Sequence, residues 1–363
     1  MRSVLAASAA VALASAAACQ RGAVDFKGGG IGPEPIPFTV ERGGQTLRGL
    51  ALEPNRVYWR LRFPDFPLLV GALGELAPTR RVRHYSCWVN GDGLRGWRRY
   101  PPRRPEGTFR IGVLGTGVTF GEGVSMGQTY PRHLEEALNG DPPLPRDFEV
   151  VNFGTPCLTT DAALGNFVRY DDRWEVDFWI VALGVNDALP MFHRSPEDFR
   201  LDIRALVAEI TTRGRPALVL VEPVNSFYPW RQRYPDYLAA LQEEVRPALP
   251  LLDVSAMLDC LERQEGLRLE VDGDRQSMVR YRRGQPTVLV QAEHTIGRDR
   301  PAIAPEVYDY FEAHDTALRT FITDVHLNPL GHERVAEALF AWLAAWVTGR
   351  QAPALDPATC ALR

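Results

Sequence analysis

The sequence predicts an α/β protein with a parallel sheet covered by helices on both faces, preceded by a small β-rich unit. Uniformly apolar runs of strand length occur at 109–114, 148–153, 178–183, 217–221 and 251–254. Helical patterns alternate with them at 161–170, 196–213, 234–249 and 331–346. Strands that are apolar on both faces and separated by helices are typical of a parallel sheet buried as the middle layer.

The composition is that of an ordinary globular protein with a large core. The chain has 363 residues, of which 45% are hydrophobic and 24% charged, and its formal net charge is -4. Such a charge creates no basic field, so nucleic acid is not expected as a partner. No apolar run after the N-terminus is long enough to span a bilayer, and neither a metal ion nor a cofactor is predicted.

Residues 1–19 predict an export signal. Arg2 precedes a short Ala-rich apolar run, and small residues lead up to Cys19. This ending resembles a bacterial lipoprotein lipobox, although Ala16 stands where Leu is usual. It favours a lipid-anchored protein of the bacterial cell envelope or periplasm, tethered through residues 20–37. The alternative is a plain signal peptide with an incidental Cys19.

Residues 38–107 form the predicted β-rich unit. Alternating patterns at 57–63 and 82–89 indicate short strands, and the Arg-rich stretches of this unit are interpreted as solvated surface. Beyond Cys19 the chain has four cysteines, which could pair in three ways in an exported protein or remain buried thiols. They are Cys87, Cys157, Cys260 and Cys360.

The glycine-rich stretch at 109–123 is the centre of the prediction. A strand runs into a turn at Gly115-x-Gly117, and 118–139 carries a mostly helical pattern with a break at Pro131. Such a turn can cradle a dinucleotide or expose a nucleophile at the sheet edge. The dinucleotide interpretation lacks the usual third-glycine spacing and an acidic residue at the end of the second strand, where Gly154 stands.

Other polar residues also stand at strand ends or before a helix. Gly154 ends one strand, the run Gly184-x-Asn186-Asp187 ends another, and His326 precedes the last helix. With Gly115–Gly123, these blocks resemble the SGNH/GDSL hydrolase family over residues 85–346, apart from a charged insertion at 259–322 that we interpret as a cap or flap. The resemblance implies a three-layer, flavodoxin-like domain at 108–350, followed by a tail at 351–363. It also implies hydrolysis of acyl or acetyl esters of carbohydrate or lipid.

The chain departs from the family pattern at the residues that carry the chemistry. Gly117 stands at the position of the nucleophilic Ser, and Thr116 at that of the preceding Asp. Thr323 stands where the family has the Asp that orients the catalytic His326, while Asp324 lies one position away. Without a hydroxyl at 117, no acyl-enzyme can form there.

The resemblance nevertheless implies a retained oxyanion hole, built from the N–H groups of Gly117 and Gly154 and the amide of Asn186. The favoured prediction is therefore an impaired enzyme that keeps this pocket as a ligand site. One alternative is an active esterase with a displaced nucleophile, Thr116 or Ser125, or with a water activated by His326. A nucleotide-binding Rossmann-like enzyme is the third possibility.

Overall fold

The computed structural model describes most of the chain between residues 35 and 362. The described ranges are 35–54, 56–62, 83–140, 147–228, 231–294, 303–307, 310, 319–321, 326–351, 355–356 and 360–362. The predicted signal segment with Cys19, most of the predicted tether, and both Thr323 and Asp324 lie outside these ranges.

The N-terminal part consists of two antiparallel strand pairs. Its strands are β1 (Ile36–Arg42), β2 (Gln45–Ala51), β3 (Arg56–Arg62) and β4 (Arg83–Val89), paired β1–β2 and β3–β4. The β-rich unit predicted from the alternating patterns is therefore present.

A parallel sheet forms the centre of the molecule, with the strand order β6-β5-β7-β8-β9. Its members are β5 (Thr108–Gly115), β6 (Asp147–Gly154), β7 (Phe178–Leu183), β8 (Ala217–Val221) and β9 (Leu251–Asp253). Every side chain of β7 is buried, as expected of a strand covered on both faces. From β5 the chain first adds β6 on one side of the sheet and then returns to add β7 on the other side. Ligand sites of open α/β sheets lie at such a switch point.

Two groups of helices cover the sheet. The helices are α1 (Gly117–Phe120), α2 (Tyr130–Leu138), α3 (Thr160–Arg173), α4 (Pro196–Thr212), α5 (Tyr234–Val245), α6 (Ser255–Gln264) and α7 (Pro329–Thr348). Helices α3, α4 and α5 pack in sequence against one another, and α2 packs against α7. This arrangement confirms the predicted fold class. Pro131 lies in the first turn of α2, where a missing N–H costs nothing, so it begins this helix rather than breaking a longer one.

The insertion, which the sequence analysis interprets as a cap or flap, carries a small sheet of its own. It contains an antiparallel sheet of β10 (Glu265–Asp272), β11 (Arg275–Arg282) and β12 (Gln285–Glu293). Leu267, Leu269 and Met278 of this sheet are buried in the same hydrophobic cluster as the central strands. Leu267 and Leu269 alternate with the charged Arg268 and Glu270, and the high overall charge of the stretch obscures that alternation in the sequence.

The C-terminal tail is fastened to the start of the insertion. Strands β13 (Leu355–Asp356) and β14 (Ala361–Leu362) pair with each other, and a disulfide joins Cys360 to Cys260 of α6. This pairing is one of those that the sequence left open. Cys87 is a buried thiol. Within the ranges that the structure describes, no helix has the length and apolar character needed to cross a membrane.

Candidate active site

Gly117 is the first residue of α1, directly after β5. Thr116 caps this helix, its hydroxyl oxygen accepting from the Val118 N–H at 3.2 Å. The helix ends after four residues because Gly121 adopts a left-handed conformation with φ 84°. The N–H groups of Gly121 and Glu122 then both donate to the Gly117 carbonyl, at 2.9 and 3.0 Å. These two hydrogen bonds to one carbonyl bring Glu122 back beside Gly117.

The vacant side-chain position at Gly117 faces His326. An ideal Cβ built on Gly117 lies 3.0 Å from Nε2 of His326 and 3.2 Å from Cδ of Glu122. Gly117 has helical backbone rather than a positive φ, so its conformation does not require glycine. The structure thus places the predicted nucleophile position and the predicted catalytic histidine next to each other.

His326 is paired with a carboxylate that the sequence analysis did not single out. Its Nε2 lies 3.2 Å from Oε2 of Glu122, and both side chains are mostly buried, 26% and 13% exposed. The segment around His326 is held by a bridge between Phe321 and Leu327 and by Asn328, which caps α7. No sequence signal distinguishes Glu122 from a surface turn residue, because its partner comes from the other end of the chain.

Two of the three predicted oxyanion donors are already used within the protein. The Gly154 N–H donates to Oδ1 of Asn152 at 2.8 Å. The amide Nδ2 of Asn186 donates to the Leu158 carbonyl at 2.9 Å, which leaves it one further N–H. These bonds occupy donors that the predicted oxyanion hole would use, and the hole itself stays a prediction. The reason is local for Gly154, since the Asn152 side chain can reach the backbone two residues later.

Both predicted displaced nucleophiles make structural hydrogen bonds. Thr116 is buried and donates to Oε1 of Glu222 at 2.5 Å. Ser125 is exposed, caps a 3₁₀ turn at Met126–Gln128, and donates to Oε1 of Gln128 at 2.8 Å. Each hydroxyl is thus directed at a partner other than His326.

Glu222 has a buried carboxyl group that contacts Thr116, in the turn after β5. Besides Thr116, it accepts from the Val185 N–H at 3.2 Å, so it joins the ends of β5 and β7. Burial is the main cause that raises the pKa of Glu222 from 4.5 to about 8, and its hydrogen bonds oppose this only in part. The sequence reasoning did not identify Glu222, which lies just after a buried strand without a recognisable motif.

Asp187 of the Asn-Asp block and His332 of α7 have structural roles. Asp187 accepts from the N–H and hydroxyl of Thr160 at 3.1 and 2.7 Å, and so holds the start of α3. Burial raises the pKa of Asp187 to about 6. His332 is fully buried and accepts the Tyr130 N–H at 3.1 Å, and burial holds its pKa well below the ordinary value.

Arg95 corrects the interpretation of the N-terminal arginines as solvated surface. Its side chain is buried, lies over the Phe120 ring at 4.8 Å, and donates to the carbonyls of Phe120, Gly121 and Val124. These carbonyls follow a helix of only one turn and need donors, which a guanidinium supplies in a fixed fork. Arg95 therefore supports the turn that carries Glu122.

The site combines three features at the switch point of a parallel sheet: a glycine turn, an Asn-Asp strand end and a histidine before the last helix. Together these features define the SGNH class of hydrolase folds. Among the residues described, no group of three or more His, Cys, Asp or Glu side chains is arranged to hold a metal ion. The model of the GDSL-like lipase/acylhydrolase family matches residues 111–339. The chain belongs to this family.

Solved structures with a similar fold include several esterases. AlinE4, an SGNH-hydrolase family esterase, is 24% identical over 40% of this chain and 75% of its own, with a TM-score of 0.34. The aryl esterase of M. smegmatis is 21% identical over 40% and 84%, with a TM-score of 0.34. LAE5, an alpha/beta hydrolase from the metagenome of Lake Arreo, Spain, is 17% identical over 64% and 94%, with a TM-score of 0.42. No curated protein sequence matches the chain.

Proposed function

We propose that this protein is a non-hydrolysing member of the GDSL-like family that binds a ligand at the sheet edge beside Gly117. The observation that carries the proposal is the position of Gly117. A side chain there would start 3.0 Å from Nε2 of His326, yet glycine supplies no hydroxyl for the imidazole to activate. The geometry of a nucleophile site is kept while the nucleophile is missing.

The surrounding groups support this proposal. The hydroxyls of Thr116 and Ser125 are engaged by Glu222 and Gln128, so neither is available as a substitute nucleophile. The Gly154 N–H is engaged by Asn152, which removes a donor that would stabilise a tetrahedral intermediate. Both the attacking group and part of the charge stabilisation are therefore absent.

The proposed ligand is an acyl or acetyl ester of a carbohydrate or lipid. Membership of an acylhydrolase family supports an acyl ester as the ligand. The retained Gly117 N–H and the remaining Asn186 N–H offer polar contacts to an ester carbonyl without completing its cleavage.

An esterase assay with matched variants tests the proposal. Purified wild type and His326→Ala are given short-chain aryl esters and acetylated sugars, and hydrolysis and thermal stabilisation by the same compounds are measured. We expect equal, background hydrolysis from both proteins, and a rise in melting temperature with the bound ester in wild type. If wild type hydrolyses the esters and His326→Ala does not, the non-hydrolysing proposal is overturned. If Thr116→Ala also loses this hydrolysis, Thr116 is identified as the nucleophile.

We also propose that the protein is exported and anchored by a lipid on Cys19. The Ala-rich segment before Cys19 motivates this, and the Cys260–Cys360 disulfide supports an oxidising compartment. The intact mass of the protein in the membrane fraction tests it, with Cys19→Ala as the control. We expect a mature chain that starts at an acylated Cys19; a different N-terminus, or full recovery in the soluble fraction, would refute it.

A further inference from the structure

The Glu122 carboxylate lies directly beside the place that a nucleophile side chain would take. Its Cδ and Cγ lie 3.2 and 3.4 Å from an ideal Cβ on Gly117, and its Oε2 lies 3.2 Å from Nε2 of His326. A serine hydroxyl at this position would have to lie between the same two side chains. The space that glycine leaves open is thus bordered by an anionic group.

The position of Glu122 is fixed by its backbone. Its N–H donates to the Gly117 carbonyl at 3.0 Å, in the closure that ends α1. Arg95 donates to the carbonyls on both sides of this closure, those of Phe120, Gly121 and Val124. A turn held by these contacts places the Glu122 backbone beside His326, and the Glu122 side chain itself is mostly buried rather than a free surface group.

The contact with Glu122 engages Nε2 of His326, the ring nitrogen that hydrolysis would need. A carboxylate only accepts hydrogen bonds, so Nε2 of His326 must carry a proton to bond with it. A histidine that acts as general base requires that nitrogen unprotonated and facing the nucleophile. The negative charge of Glu122 would also oppose the negative charge that develops on a substrate oxygen near the Gly117 N–H.

We infer that Glu122 is a second block on hydrolysis, acting through His326 and independent of the missing hydroxyl. The inference rests on the non-hydrolysing function proposed above. Glu122 is a positioning residue in this account, because it acts on the imidazole and by its charge. Restoring a serine at 117 is then not sufficient to restore an esterase, and the two changes must be strongly non-additive.

Four proteins test this inference: wild type, Gly117→Ser, Glu122→Ala and the double variant. Each is assayed with an aryl acetate and labelled with a fluorophosphonate, which reacts covalently with an activated serine. We expect only the double variant to be labelled, with turnover at least about tenfold above that of Gly117→Ser, within the range of general-base contributions. The matched control is Gly117→Ser with Glu209→Ala, since Glu209 is 19% exposed, also pairs with basic side chains and lies on α4.

The outcomes separate the inference from the function on which it rests. Equal turnover of Gly117→Ser and the double variant, or a folded double variant without labelling, would overturn the role of Glu122. Turnover of wild type that depends on His326 would instead overturn the non-hydrolysing function, whatever the variants do.

A chemical measurement keeps the inference testable if the double variant does not fold. Diethyl pyrocarbonate modifies unprotonated imidazole nitrogens, and mass spectrometry follows each histidine separately. We expect faster modification of His326 in Glu122→Ala than in wild type. His133 is an internal control, because it has the same side-chain exposure of 26% and a Glu136 partner that the substitution leaves in place. Equal rates at His326 in the two proteins would overturn the inference.

Discussion

Glu222 joins three elements at the edge of the sheet where the candidate site lies. Its side chain accepts from the Thr116 hydroxyl and the Val185 N–H, and its carbonyl accepts from the Tyr234 hydroxyl at 2.6 Å. Because the carboxyl is buried, its charged form is costly and its pKa rises to about 8. The stability of the strand ends is therefore linked to pH.

The stability of the protein should fall as Glu222 ionises. Its folded pKa of about 8 lies above the ordinary 4.5, so its contribution is complete below about pH 4.5 and is lost as pH rises through about 8. A tenfold difference in the acid constant between the folded and unfolded states corresponds to about 1.4 kcal/mol of unfolding free energy. Urea denaturation between about pH 6.5 and pH 9 should show this fall in wild type and a flatter profile in Glu222→Gln.

The choice of this pH window limits the contribution of Asp187, another buried carboxyl. Asp187 has a pKa of about 6 and has mostly titrated before the window begins. Glu197→Gln is the control, since that side chain is 72% exposed and should leave the profile unchanged. Parallel profiles for wild type and Glu222→Gln would contradict the prediction.

Two glycines of the site should respond differently to an added methyl group. A Cβ on Gly154 would lie 2.2 Å from the backbone N of Phe120, which no side-chain rotation can relieve. A Cβ on Gly117 meets only side chains, the nearest at 3.0 Å, and its backbone is helical. We expect Gly154→Ala to lower the free energy of unfolding by about 2–3 kcal/mol or more, and Gly117→Ala to change it by less than about 1 kcal/mol. Equal losses in urea denaturation would contradict this.

The inserted elements support the segment before His326. Glu262 of α6 accepts from the N–H and hydroxyl of Thr320 at 2.9 and 2.8 Å, and the Thr320 carbonyl accepts from the Asn328 N–H at 3.0 Å. The strand pair around His326 is thereby fastened to the helix that begins the insertion. This helix also carries Cys260, so the disulfide to the tail stabilises the same element.

Removal of the Cys260–Cys360 bond should destabilise the protein. The disulfide joins residues separated by 100 positions, and closing a long loop stabilises a fold mainly by restricting the unfolded chain. We expect Cys360→Ser to lower the free energy of unfolding by about 2–4 kcal/mol in thermal or urea denaturation. The double variant with Cys260→Ser should lose about the same amount, because either substitution breaks the one bond; unchanged stability would contradict the prediction.

At the scale of the whole molecule, the N-terminal strands are part of the folded body. The Asn166 amide of α3 bonds both the N–H and the carbonyl of Leu50 in β2, at 2.7 and 2.8 Å. The strand approaches so closely that a Cβ on Gly165 would lie 1.9 Å from the Arg48 carbonyl oxygen. Together with Arg95, these contacts connect the first strands to α3 and to the turn of the site.

A chain that begins at residue 108 should therefore fold poorly on its own. It would leave the Asn166 amide and the carbonyls around Gly121 without these partners, at a cost of about 1–3 kcal/mol for each buried group. We expect it to lose the sharp thermal transition and the near-UV circular dichroism of the protein that begins at residue 35. Arg95→Met in the longer protein should lower the melting temperature in the same direction. A shortened chain as stable as the longer one would show that the two parts are independent.

The sequence by itself determined the layered fold, because uniformly apolar strands that alternate with helices have few other ways to bury their surface. The runs at 178–183 and 217–221 match β7 and β8 residue for residue. The sequence also located the strand ends that form the site and showed that position 117 has no hydroxyl. These features depend on local pattern and on which residue is present.

Only the tertiary structure decided how the groups of the site are used. The pairing of Glu122 with His326, the insertion of Arg95 under the turn and the contacts of Glu222 join residues that are distant in the chain. Hydrogen bonds and charge pairs depend on distances of a few ångströms between such residues, and periodicity and spacing carry no information on that scale.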